Sequence, residues 1–165
     1  FKTILIMKKP FILLLLFLIS FLQAFSQEKN QLYEMINTSI EKFIEHNQLF
    51  YAERGETLNL SEVYLNTQNY PTGFEFSQKV KNMGIKIVNL NLRNHRKYFR
   101  VSRYVIDFIS VVIHENTIKI QFRDCRVQAG RRWLHLAWAD GATYLWEYSC
   151  LTRKWEFVHE NYWGI

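Results

Sequence analysis

Asp107, Asp124 and His135 are the residues of this chain whose types best suit acid–base chemistry. Two carboxylates set opposite each other repel, so that one holds its proton near neutral pH, and an imidazole beside them then serves as general base or acid. The competing role is structural: Asp124 accepts a hydrogen bond from His135, Arg126 or a backbone amide, and the groups satisfy one another at the edge of the core. A second set, Trp133, Tyr144, Trp146 and Tyr148, offers aromatic rings on which a ligand stacks, or else plain core packing. Arg96 and Arg100 belong to the basic run Arg93, Arg96, Lys97, Arg100 and Arg103, which suits an anionic ligand or forms a solvated loop bordering the acidic first half.

Strand register decides whether these residues meet. From Ile85 onward the chain is rich in Ile, Val, Tyr, Phe and Trp, in short segments at 85–91, 104–113, 117–126, 132–139, 142–150 and 154–160, which predict a meander of antiparallel strands. Ala139-Asp140-Gly141-Ala142 has the composition of a two-residue hairpin loop. Closed that way, it pairs Leu136 with Leu145, Trp133 with Tyr148, His135 with Trp146 and Ala137 with Tyr144. A turn at Glu115-Asn116 pairs Ile113 with Ile118, Val111 with Ile120, Ile109 with Phe122 and Asp107 with Asp124. A tight loop at Ala129-Gly130 sets Asp124 opposite His135, and a loop over 151–154 sets Trp146 opposite His159. These registers predict a polar row of Asp107, Asp124, His135, Trp146 and His159 across an aromatic face, although a slip of one residue moves every side chain to the other side.

Before the strands, residues 28–48 read as an amphipathic helix, with Leu32, Met35, Ile36, Ile40, Phe43, Ile44 and Asn47 along one stripe. A short strand over 62–65, a turn at Asn69-Tyr70-Pro71-Thr72-Gly73 and a short helix over 74–83 ended by Gly84 follow. The fold expected is α+β, an N-terminal helix packed on a curved antiparallel sheet of five to six strands. In element order over residues 28–160 this resembles the cystatin-like or nuclear-transport-factor-2-like architectures. The resemblance implies an architecture and carries no function with it.

Other chemistries find little support. With the strand of Trp146 between them, the backbones of His135 and His159 stand roughly 10 Å apart, while a shared metal needs ring nitrogens within about 2.1 Å, so no metal site is expected. His46 and His114 have no ligand partner at a recognised spacing and read as surface residues. Cys150 is expected opposite Trp155, away from any activating histidine. No Gly-x-Ser-x-Gly elbow and no glycine-rich phosphate loop occurs, so neither a serine triad nor a nucleotide cofactor is indicated.

At the N-terminus, Met7-Lys8-Lys9, the apolar run from Phe11 to Leu22 and the small-x-small Ala24-Phe25-Ser26 have the form of a secretory leader cleaved after Ser26. The expected product is a single domain over 27–165, exported to the periplasm or the medium, with no membrane anchor left after cleavage. Cleavage lowers the formal charge from +6 to +3, and the remainder divides into 4 basic and 8 acidic residues over 27–80 against 14 and 7 over 81–165. Export argues against a nucleic-acid partner. Cys125 and Cys150 either form one disulfide or remain two buried thiols. Two functions stay open: a non-catalytic binding domain for a small molecule, a glycan or a protein, and a small hydrolase or lyase using Asp107, Asp124 and His135 between sheet and helix.

Overall fold

A computed structural model describes Leu14 and residues 30–90, 103–129 and 134–164, with backbone alone at 103, 128–129, 134–136 and 138–139. It divides into two compact units, Phe1–Glu34 and Met35–Ile165. In the first unit, Leu14 and residues 30–34 are helical. Everything below concerns the second.

The helical stripe read from the sequence becomes the buried face of α1, which in this unit covers residues 35–53 and ends one turn past the predicted end. Met35, Ile36, Ile40, Phe43 and Ile44 are all at most 3% exposed. Each such side chain, removed from water, contributes about 1.5–3 kcal/mol before the entropic cost of ordering it. Beyond α1 come β1 (Val63–Asn66), α2 (Gln78–Asn82), β2 (Lys86–Val88), β3 (Arg103–His114), β4 (Thr117–Ala129), β5 (Leu134–Ser149) and β6 (Lys154–Gly164). Ser77 caps α2 by accepting the Val80 N–H at 3.1 Å, and Gly84 follows the helix at φ +83°.

The fold is α+β, as expected, with one six-stranded sheet ordered β2-β1-β3-β4-β5-β6. The sheet is mixed and not purely antiparallel: β1 runs parallel to both β2 and β3, and only β3 to β6 form the meander. Ile120, Phe122 and Tyr144 are fully buried, and the Phe43 ring of α1 stacks on Phe122 at 6.0 Å. Trp146 is held by an Nε1–H donated to Ser39 Oγ at 3.2 Å. On the opposite face Tyr64, Leu90, Val105 and Val127 form a second, smaller buried cluster.

The expected registers survive only between the tight turn and the first irregularity. Ile113 pairs with Ile118 and Val111 with Ile120 around Glu115-Asn116. A bulge between Phe108 and Ser110 then adds one residue to β3, so Phe108, not Ile109, faces Phe122 and Asp107 faces Arg123, not Asp124. The Phe108 carbonyl accepts an N–H from the Asn69 side chain at 3.1 Å, which occupies the backbone group at the bulge.

The Asp140-Gly141 reversal does not exist. β5 runs through it as one sixteen-residue strand, and β4 carries a second bulge between Arg123 and Cys125. There Asp124 Oδ1 accepts the Asp140 backbone N–H at 2.7 Å, a side chain standing in for the carbonyl that the ladder lacks. Gly141 serves close approach, since a Cβ at that position would run into the Trp163 ring. With β5 continuous, His135 pairs with Gln128 instead of Trp146, and Asp124 has no ladder partner where His135 was expected. Trp146 pairs with Phe157 because the β5–β6 turn sets Tyr148, not Cys150, opposite Trp155, and a bulge between Leu145 and Trp146 then places Leu145 opposite His159. Cys150 is exposed in the turn after β5, Cys125 is buried, and both thiols are free.

Candidate functional site

Asp107 and Asp124 end in separate, filled hydrogen-bond sets. Asp107, 5% exposed, accepts from Asn66 Nδ2 at 3.1 Å through Oδ1 and from Arg123 Nη2 at 2.8 Å and Nε at 3.2 Å through Oδ2. Asn66 in turn accepts the N–H groups of Gln68 and Leu90, so the β1–β3 junction is tied by side chains as well as by its ladder. Asp124 is fully buried, takes the Asp140 N–H on Oδ1 and the Tyr104 hydroxyl on Oδ2. Burial raises its pKa above the ordinary carboxylate value, against the opposing pull of those two donors. The same burial, together with the Asp124 charge, raises Tyr104 far beyond a normal phenol. Neither carboxylate offers a free oxygen to a substrate.

The remaining residues singled out in the sequence are dispersed. The rings of Tyr144 and Trp146 are packed in the core, and Tyr148 is exposed against Trp155 at 5.5 Å. His159 is exposed. The side chains of His135 and Trp133, the cations Arg96 and Arg100 and the rest of the basic run fall outside the described residues. Cys125 is a poor nucleophile, for burial pushes its thiol up to about 12. Among the described residues no group of three or more His, Cys, Asp or Glu could hold a metal ion, and no helix is long and apolar enough to cross a membrane.

A different site lies where the last three turns of α1 pass the middle of β5 and the end of β6. A cavity of about 240 Å³ opens there, with Phe43, His46, Asn47, Phe50 and Arg54 on the helix side and Asp140, Tyr162 and Trp163 on the strand side. The spacing explains the helix wall: 43, 47, 50 and 54 recur at steps of four, three and four, so they share one face. Phenyl rings and polar groups alternate along it. Asn47 is only 6% exposed, and its buried Nδ2 has no hydrogen-bond partner among the described residues. The Arg54 guanidinium lies 3.6 Å from the Phe50 ring centroid. His46, read above as a surface residue, is half-buried and stacked on Tyr162 with centroids 3.4 Å apart and planes 13° from parallel. The Tyr162 hydroxyl meets that of the buried Tyr144 at 3.3 Å, which fixes the strand wall to the core.

Sequence reasoning passed over this site, although one signal was present. Asn47 falls on an otherwise apolar stripe, the position at which a buried amide requires a partner. Asp140 lies in a segment with the composition of a hairpin loop, and Arg54 lies beyond the predicted end of the helix. A second hollow of about 270 Å³ lies beside Tyr51, Tyr104, Arg126 and the 56–63 segment.

Compared with known proteins, the chain matches no family model, no curated protein and no solved structure.

Proposed function

We propose that this protein is an exported, non-catalytic binding protein that holds a small molecule in the cavity between α1, the middle of β5 and the end of β6. One observation carries the reading: Phe43, Phe50, Tyr162 and Trp163 line a cavity of about 240 Å³ beside the buried Asn47 amide, whose Nδ2 has no hydrogen-bond partner among the described residues. An unpaired buried N–H costs about 1–3 kcal/mol, and a site keeps such a group when a ligand supplies the acceptor. Phe43, Phe50 and Tyr162 provide apolar walls, while few polar groups converge, the usual composition of a ligand pocket. The hydrolase or lyase alternative gains no support, since both of its carboxylates spend their oxygens on the protein itself.

A thermal-shift screen on the protein, repeated on Asn47→Leu, tests the binding reading. Hits should raise the melting temperature of the wild type and lose that effect in the variant. Phe50→Trp, at a half-exposed position, narrows the cavity from the other side and should do the same. A hit that stabilises both variants as well as the wild type would place binding elsewhere. Export rests on the leader-like residues 1–26 and predicts a mature chain starting at Gln27, which N-terminal sequencing of the secreted or periplasmic protein checks.

A further inference from the structure

The cavity contains one cation and one anion that do not neutralise each other. Arg54 and Asp140 both line it, and among the described residues neither makes an ion pair. Asp140 donates its backbone N–H to Asp124, which fixes its backbone, and its carboxylate lies against Gly164 at the cavity. Arg54 is held over Phe50 by its stacking contact, and Asn47 stands on the same helix face with an unused N–H. The wall therefore presents one cation, one carboxylate and a set of aromatic rings, with the Asn47 amide buried beside them. A single negative ligand would face Asp140, and a single positive one would face Arg54. Only a ligand with both charges answers every group. The volume of about 240 Å³ lies below the roughly 300–1,000 Å³ of sites for drug-sized molecules.

Resting on the binding function proposed above, we infer that the ligand is a free α-amino acid with an apolar side chain. Its carboxylate is taken by the Arg54 guanidinium, in charge-assisted hydrogen bonds. Its ammonium faces Asp140, and its side chain lies among Phe43, Phe50 and Tyr162.

The test is calorimetric titration of the full chain with L-phenylalanine and L-leucine, beside N-acetyl-L-phenylalanine, which lacks the ammonium, L-phenylalaninamide, which lacks the carboxylate, and glucose. The free amino acids should bind, and each capped form should bind about tenfold or more weakly, since either loses one charged partner. Arg54→Gln should abolish the preference for L-phenylalanine over its amide and keep the preference over the N-acetyl form; Asp140→Asn should do the reverse. This crossed pattern is one that a merely structural role for either residue would not produce. Equal binding of free and capped forms, or no binding of either amino acid, overturns the inference. If glucose or a capped compound binds instead and Asn47→Leu abolishes that binding, the amino-acid assignment is wrong and the cavity remains the site. If the bound compound is indifferent to Asn47→Leu and Phe50→Trp, the binding reading fails as well.

Discussion

Two regions of the molecule place polar side chains among aromatic rings, and they treat those side chains in opposite ways. Around the β4 bulge, Asp124 is fully buried and both of its oxygens are occupied, by the Asp140 N–H and the Tyr104 hydroxyl; Asp107 nearby is equally well supplied by Asn66 and Arg123. At the far turns of α1, the buried Asn47 Nδ2 has no partner among the described residues, and Arg54 and Asp140 share a cavity without pairing with each other. A satisfied network in a low-dielectric interior fixes one arrangement of strands. Groups that lack partners carry a standing cost, and a ligand can remove it. Carboxylates in an aromatic setting are therefore a weaker sign of function here than one amide with an empty valence.

Breaking the satisfied region should have the largest effect. Asp124→Ala strands two buried donors at once and is expected to cost about 3 kcal/mol in urea unfolding; an unchanged midpoint would mean the bulge is not held by this side chain. Gly141→Ala comes next, at about 2 kcal/mol, because the new methyl group displaces the Trp163 ring from its place over β5. At the cavity the sign reverses: Asn47→Leu should raise stability of the unliganded protein by about 1 kcal/mol, since it removes a buried N–H that has no acceptor. A loss of stability there would show that Asn47 is as well satisfied as Asp124, and the contrast would dissolve.

The smallest effect concerns pH. Asp124 has a folded-state pKa above its ordinary value of 3.8, mainly through burial. The folded chain therefore binds its proton more tightly than the unfolded chain does. Stability from this group is present below the unfolded pKa and declines as pH rises through the raised folded value. Melting curves across that interval should show the decline in the wild type and a flatter profile in Asp124→Asn.

How far the sequence could be read depended on whether the deciding contact was local. The α1 stripe from Met35 to Ile44 and the Glu115-Asn116 turn follow from periodicity and turn chemistry over a few residues, and both are present. Register beyond Ser110 turns on Asn69, which takes the Phe108 carbonyl from 39 positions away. Likewise Asp140-Gly141 has the local preference of a hairpin, but the Asp124 carboxylate and the Trp163 ring hold it extended. Each bulge adds one residue, and one residue is enough to move Asp107 from Asp124 to Arg123. The candidate site was harder still, because α1, β5 and β6 each contribute part of it and no single stretch shows a motif. Only the misplaced polarity of Asn47 was visible in one dimension.

The parallel pairing of β1 with β3 carries a kinetic consequence. The strands from β3 to β6 find their neighbours through short reversals, whereas Val63 must meet Tyr104 across a long intervening chain. Closing that long loop costs entropy before any contact repays it. The meander is therefore expected to form before β1 and β2 add to its β3 edge, Asn66 then completing the hydrogen bonds of Asp107.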